Sequence, residues 1–166
     1  MQFPFSDAQA RVDATYKEFG ECNQRYLSPL ASVSSLRSDF PPDYMHAVCL
    51  GVCKKLLACY MYGSKYWKLN CKLSVGIKEQ INNKINMYRK YMPSDFHRKM
   101  RSLHYFEQYK ATEFRQFLLY LGPVVLKNKI NYEYYNNFLS LHFGIYCLAQ
   151  DVCIESFCSN LNALFI

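Results

Sequence analysis

From Asp43 onward the apolar side chains of this chain recur chiefly at helical steps, and the signs of a half-buried strand are thin. Leu50, Cys53, Leu56, Leu57 and Tyr60 form one stripe, and Ile77, Ile81, Ile85 and Tyr88 form a second. Phe114, Phe117, Leu118 and Leu121 form a third. No alternating run is bounded by hairpin dipeptides, so the expected fold class is mainly α. One helix is predicted from Asp43, directly after Pro41-Pro42, and a second over Leu73 to Tyr91, closed by Met92-Pro93. A third starts near Thr112 and meets Gly122-Pro123, which is expected to kink or break it, with Val124 to Lys129 as a resumption. Two more are predicted over Tyr132 to Leu148 and from Val152 to the end. The helices that start near Asp43 and Thr112 are expected to pack together.

Residues 1 to 42 read as an irregular N-terminal segment. Ser6 to Phe19 could form one helix, and the Ser- and Pro-rich stretch Ser28 to Pro42 reads as a connecting loop. Residues 43 to 166 form the helical region. Ser94 to Ser102, polar and basic, is a predicted loop within it. The last residues, NLNALFI, stop inside an apolar pattern without a terminating signal, and this end is expected to be a truncation.

The 15 Tyr and 12 Phe among 166 residues argue against disorder. A net charge of +7 points to an anionic partner, with DNA or another nucleic acid first and an acidic membrane surface second; a basic protein without such a partner is the plainer reading. The first 20 residues lack a signal-peptide pattern. The longest apolar run, Phe117 to Leu126, is too short to span a bilayer. The expectation is a soluble, intracellular protein without a membrane role, its eight cysteines free thiols. No C-x-x-C occurs, and no zinc-ligand rhythm joins Cys49 and Cys53 to Cys147, Cys153 and Cys158. Core packing is the expected role of the cysteines.

Three constellations could carry chemistry. Asp43 and His46 sit three residues apart at a predicted helix start, where the plain role of the Asp is to cap free amides. Glu113 lies in the first turn of an otherwise apolar helix; it is either part of a capping box or a metal ligand facing a cleft. His97, Arg98, Lys99 and Arg101, flanked by Phe96 and Tyr105, could meet phosphates and stacked bases, or could simply be a solvated loop.

Two stretches together resemble the CACTA-type (En/Spm-like) DDE/D transposases and genes derived from them. Asp43 to Leu57, DYMHAVCLGVCKKLL, is similar to that family's D-x-M-H segment. Arg101 to Leu126, RSLHYFEQYKATEFRQFLLYLGPVVL, is similar to its K-A-x-E/D-x-x-x-x-L-L segment and the P-V/I-x-L run that follows. The resemblance spans about residues 40 to 150 and implies nuclear localisation. It also implies an RNase H-like ancestry in which three carboxylates hold two divalent metals, Mg²⁺ or Mn²⁺, for in-line attack on a DNA phosphodiester. Carried over by position, Glu113 matches the third acid, and Asp43 and His46 match a motif that helps orient substrate.

The departure from the family pattern concerns the N-terminal side. The family's first two catalytic aspartates lie on strands that precede D-x-M-H, and here Asp7, Asp13, Glu18, Glu21 and Asp39 have no strand context. The chain is therefore expected to correspond to the later, helical part of such an enzyme without its catalytic β-sheet. Alone, it is expected to bind no metal and to lack cleavage activity while retaining DNA contact. A helical protein-interaction module is the alternative.

Overall fold

The computed structural model describes residue 12 and residues 29–35, 38–63, 71–96 and 98–150. The helices predicted over Ser6 to Phe19 and from Val152 onward lie outside the described residues. The chain divides into two compact units, Met1–Asp43 and Tyr44–Ile166. Within the first, Pro29–Ser32 forms one 3-10 turn in which Ser32 Oγ donates to Pro29 O at 2.9 Å. The Asp39 carboxylate accepts from Ser35 N at 2.8 Å, closing a short polar loop.

The second unit is helical, and the described residues contain no strand. Helix α1 runs as a wide, π-helical stretch over Tyr44–Cys53 and as a regular α-helix over Lys54–Tyr62. It stops at Gly63, whose φ of 82° suits a residue without a Cβ. The carbonyls of its last turn would otherwise lack partners. Gly63 N and Cys71 Sγ both reach Cys59 O, Leu73 N reaches Tyr60 O at 2.8 Å, and Lys78 Nζ reaches Met61 O at 2.7 Å. The helix end thereby fixes where the chain returns.

Helix α2, Val75–Arg89, begins at Ser74, whose Oγ accepts from Ile77 N. Ile81 and Ile85 are fully buried on its inner face. Asn82, between them, is also buried; its Oδ1 accepts from Leu103 N at 2.9 Å and from Ser102 Oγ at 3.0 Å. That clamp holds the start of a 3-10 turn, Leu103–Gln108, which the periodicity of the sequence does not announce because it is too short to show a stripe.

Helix α3 is the centre of the unit and joins Ala111–Gln116, a π-helical Phe117–Leu121 and Gly122–Val125. Phe114, Phe117, Leu118, Leu119, Leu121 and Val125 are all buried, as expected of a helix apolar on nearly every side. Full burial of each phenyl ring contributes about 1.5–3 kcal/mol. Helix α4, Tyr132–Leu148, is capped by Asn131 Oδ1 on Glu133 N and lays Phe138 against Phe117, ring centroids 5.8 Å apart. Helix α1 packs on the first part of α3, where Cys53 Sγ lies 3.6 Å from Phe114 O.

Of the kink or break expected at Gly122-Pro123, the break does not occur, and α3 runs on through Gly122–Val125. Proline lacks an N–H and its ring crowds the carbonyl four residues back, so an unmodified α-helix is strained there. Widening the preceding turn relieves the clash: Gly122 N donates to Phe117 O, five residues back. In that register Leu118 O is matched with residue 123, which has no hydrogen to give. His142 Nδ1, from α4, lies 2.9 Å from Leu118 O and takes that place. Tyr135 OH donates to Pro123 O at 2.7 Å. Two α4 side chains thus complete the α3 backbone on either side of the proline. The helix ends soon after, with Asn128 at φ 60° in the turn.

Candidate functional site

Asp43 closes the first unit at an exposed position, and His46 lies in the first turn of α1, also exposed. His97 lies outside the described residues. Arg98 and Lys99 are exposed on the segment between α2 and the 3-10 turn, while Met100 beside them is fully buried and anchors that segment to the core.

Glu113 and Arg101 are brought together. Glu113 sits at the third position of α3, where it is fully buried. Arg101 Nε donates to Oε1 at 2.8 Å and Nη2 donates to Oε2 at 2.9 Å, a two-pronged ion pair. Lys110 N also donates to Oε2, at 3.0 Å, satisfying a free amide of the helix start. Arg101 is held in turn: Nη2 donates to Gln108 O at 2.6 Å, and the guanidinium lies 5.7 Å from the Tyr109 ring centroid. Tyr109 OH donates to Arg101 O at 2.5 Å. Burial alone would raise the Glu113 carboxyl; the Arg101 hydrogen bonds and the Lys110 amide outweigh it and hold the group below the usual carboxylate range. Arg101 is correspondingly raised, chiefly by its hydrogen bonds to Glu113.

The divalent metal that the resemblance implies asks for a different donor set. Mg²⁺ needs several oxygens fixed octahedrally, with lone pairs free to point at the ion. Both oxygens of Glu113 already accept from N–H groups, and a guanidinium occupies the side where a cation would approach. Among the described residues no group of three or more His, Cys, Asp or Glu side chains is placed to hold a metal. The surroundings of Glu113 are those of an ion pair and do not fit Mg²⁺ or Mn²⁺. Cys49, Cys53, Cys59, Cys71 and Cys147 are free thiols, of which only Cys59 is incompletely buried. Burial, with a smaller push from Cys49, raises Cys53 well above the ordinary thiol range, which keeps it protonated and unreactive.

A cleft of about 500 Å³ lies beside this ion pair. Arg98, Lys110 and Arg115 line it together with Thr112, Gln116 and a single acid, Asp95. Lys110 and Arg115 were not legible as site residues in the sequence. Each is an isolated cation twelve or more residues from Arg98, and only the packing of the 98–101 segment against α3 gathers them. Gln116 makes that junction: it is buried, and its Nε2 donates to Arg98 O at 2.5 Å. Its Oε1 has no hydrogen-bond partner among the described residues. Comparison with family models, curated proteins and solved structures returns no match to this chain. No helix of the described residues is long and apolar enough to cross a membrane.

Proposed function

We propose that this chain is a transposase-derived helical module that contacts DNA and does not cleave it by itself. The observation that carries the DNA contact is the cleft in which Arg98, Lys110 and Arg115 face one acid. Three cations around one cavity suit phosphate oxygens, and the net charge of +7 favours approach to a polyanion. The lineage rests on two motifs in the family's order, Asp43 to Leu57 and Arg101 to Leu126. The loss of cleavage is supported by Glu113, the acid matched to a metal ligand, whose oxygens are committed to Arg101 and Lys110.

Fluorescence anisotropy with labelled DNA over a salt series tests the reading. Binding that weakens steeply with salt is expected, and neutralising Arg98 and Lys99 together is expected to flatten the slope. Absence of salt-dependent binding to any DNA would favour the alternative, a helical module that binds protein partners.

A further inference from the structure

A second cavity of about 520 Å³ adjoins the cationic cleft, and the two share Asp95 and Phe96 as lining residues. Its character is different. Tyr91, Phe96 and Tyr120 line it, with Tyr91 80% and Tyr120 48% exposed. Phe96 and Tyr120 meet edge to face, ring centroids 5.5 Å apart, which leaves aromatic surface turned outward. One side of the Phe96 segment therefore offers cations, and the other offers aromatic rings.

Such adjacency suits a strand whose phosphates and bases are both accessible. In a duplex the bases are stacked on one another and their Watson–Crick N–H groups are used, so a protein surface meets mostly phosphate and groove edges. An unpaired strand can turn a base onto an aromatic ring while its phosphate lies a few ångströms away.

We propose that the paired cavities bind single-stranded DNA, with phosphates among Arg98, Lys110 and Arg115 and an unpaired base on the Tyr91–Tyr120 face. This deepens the proposed DNA contact and rests on it.

The test compares labelled oligo(dT) of about 12 nucleotides with a duplex of equal length by anisotropy, for wild type and two variants. The first variant, Tyr91→Ala with Tyr120→Ala, removes exposed rings; the second changes Arg98, Lys110 and Arg115 to Gln. Far-UV circular dichroism and thermal melting establish that each is folded. Wild type is expected to bind the single strand more tightly than the duplex. The tyrosine variant is expected to lose about tenfold on the single strand and little on the duplex. The triple variant is expected to reduce the single-strand salt slope by about 2, roughly 0.7 for each phosphate contact. A folded tyrosine variant that binds oligo(dT) as wild type does overturns the inference, and so does equal affinity for duplex and single strand; both leave the proposed DNA contact standing. Oligo(U) bound much more tightly than oligo(dT) overturns DNA as the occupant. No binding of any nucleic acid removes the DNA contact and this inference together.

Discussion

Arg101 grips Glu113 along one edge of its guanidinium, with Nε 2.8 Å from one carboxylate oxygen and Nη2 2.9 Å from the other. The acid is fully buried, whereas the side chain of the arginine keeps 31% of its surface exposed. One contact therefore joins two residues that the sequence had singled out separately. It ties the start of α3 to the loop before the 3-10 turn, and it commits both partners to each other.

Stability should record that commitment. Glu113→Gln removes the charge that the guanidinium meets and is expected to cost about 1–3 kcal/mol by urea denaturation at neutral pH. Arg101→Met, which leaves the carboxylate buried without its cation, should cost more than Glu113→Gln. The pH dependence has a definite sign. Because the folded-state pKa of Glu113 lies below its unfolded value, its contribution is fully present above about pH 4.3 and is lost as pH falls through the folded value. The gap between wild type and Glu113→Gln should therefore narrow on acidification below about pH 4.3. A gap that widens there would contradict the ion-pair assignment.

Catalysis should be unaffected by the same substitution. Two divalent cations close together repel each other, and several anionic oxygens must offset that before a phosphate arrives. In a supercoiled-plasmid nicking assay with Mg²⁺ or Mn²⁺, neither wild type nor Glu113→Gln is expected to nick. Metal-dependent nicking that EDTA abolishes and Glu113→Gln removes would show a working site.

The bond between His142 and Leu118 predicts a coupling. His142→Phe leaves a buried carbonyl without a donor and is expected to cost about 1–3 kcal/mol. Pro123→Ala restores an N–H within reach of that carbonyl, so His142→Phe should cost less in the Pro123→Ala background. A double-mutant cycle on urea midpoints measures the difference. Strict additivity would mean that the proline does not create the need for His142.

Gly122 sits where a Cβ would fall 2.4 Å from Phe138 Cζ and 2.6 Å from Phe117 O. Gly122→Ala gains about 1 kcal/mol of helix propensity but must displace a buried ring, at about 1–3 kcal/mol. Net destabilisation in thermal melting is the expected outcome; a raised melting temperature would show that the ring moves aside freely.

Helix positions were largely legible because burial imposes a period. Tyr132 to Leu148 matches α4 at both ends, and the predicted helix over Leu73 to Tyr91 contains α2 within two residues at each end. These helices carry local signals at one end or both: Ser74 and Asn131 as caps and Met92-Pro93 as a stop. At Gly122-Pro123 the sequence left a kink and a break both open, because a proline's effect depends on what else can satisfy the backbone. The answer came from His142, on another helix. The 3-10 turn at Leu103–Gln108 escaped for a related reason, since its start is fixed by Asn82, twenty-one residues earlier.

The sequence by itself determined the helical class, the apolar faces, the basic charge and the candidate residues, since each is written in local spacing or composition. Only the tertiary structure decided which charges meet. Arg101 looked like one cation in a basic run until folding placed it on Glu113, twelve residues away. Lys110 and Arg115 lie twelve or more residues from Arg98 along the chain, and Gln116 draws the Arg98 segment against α3 beside them. A side chain's partner is fixed by which surfaces the core brings together, and spacing along one helix carries no record of the surface on the next.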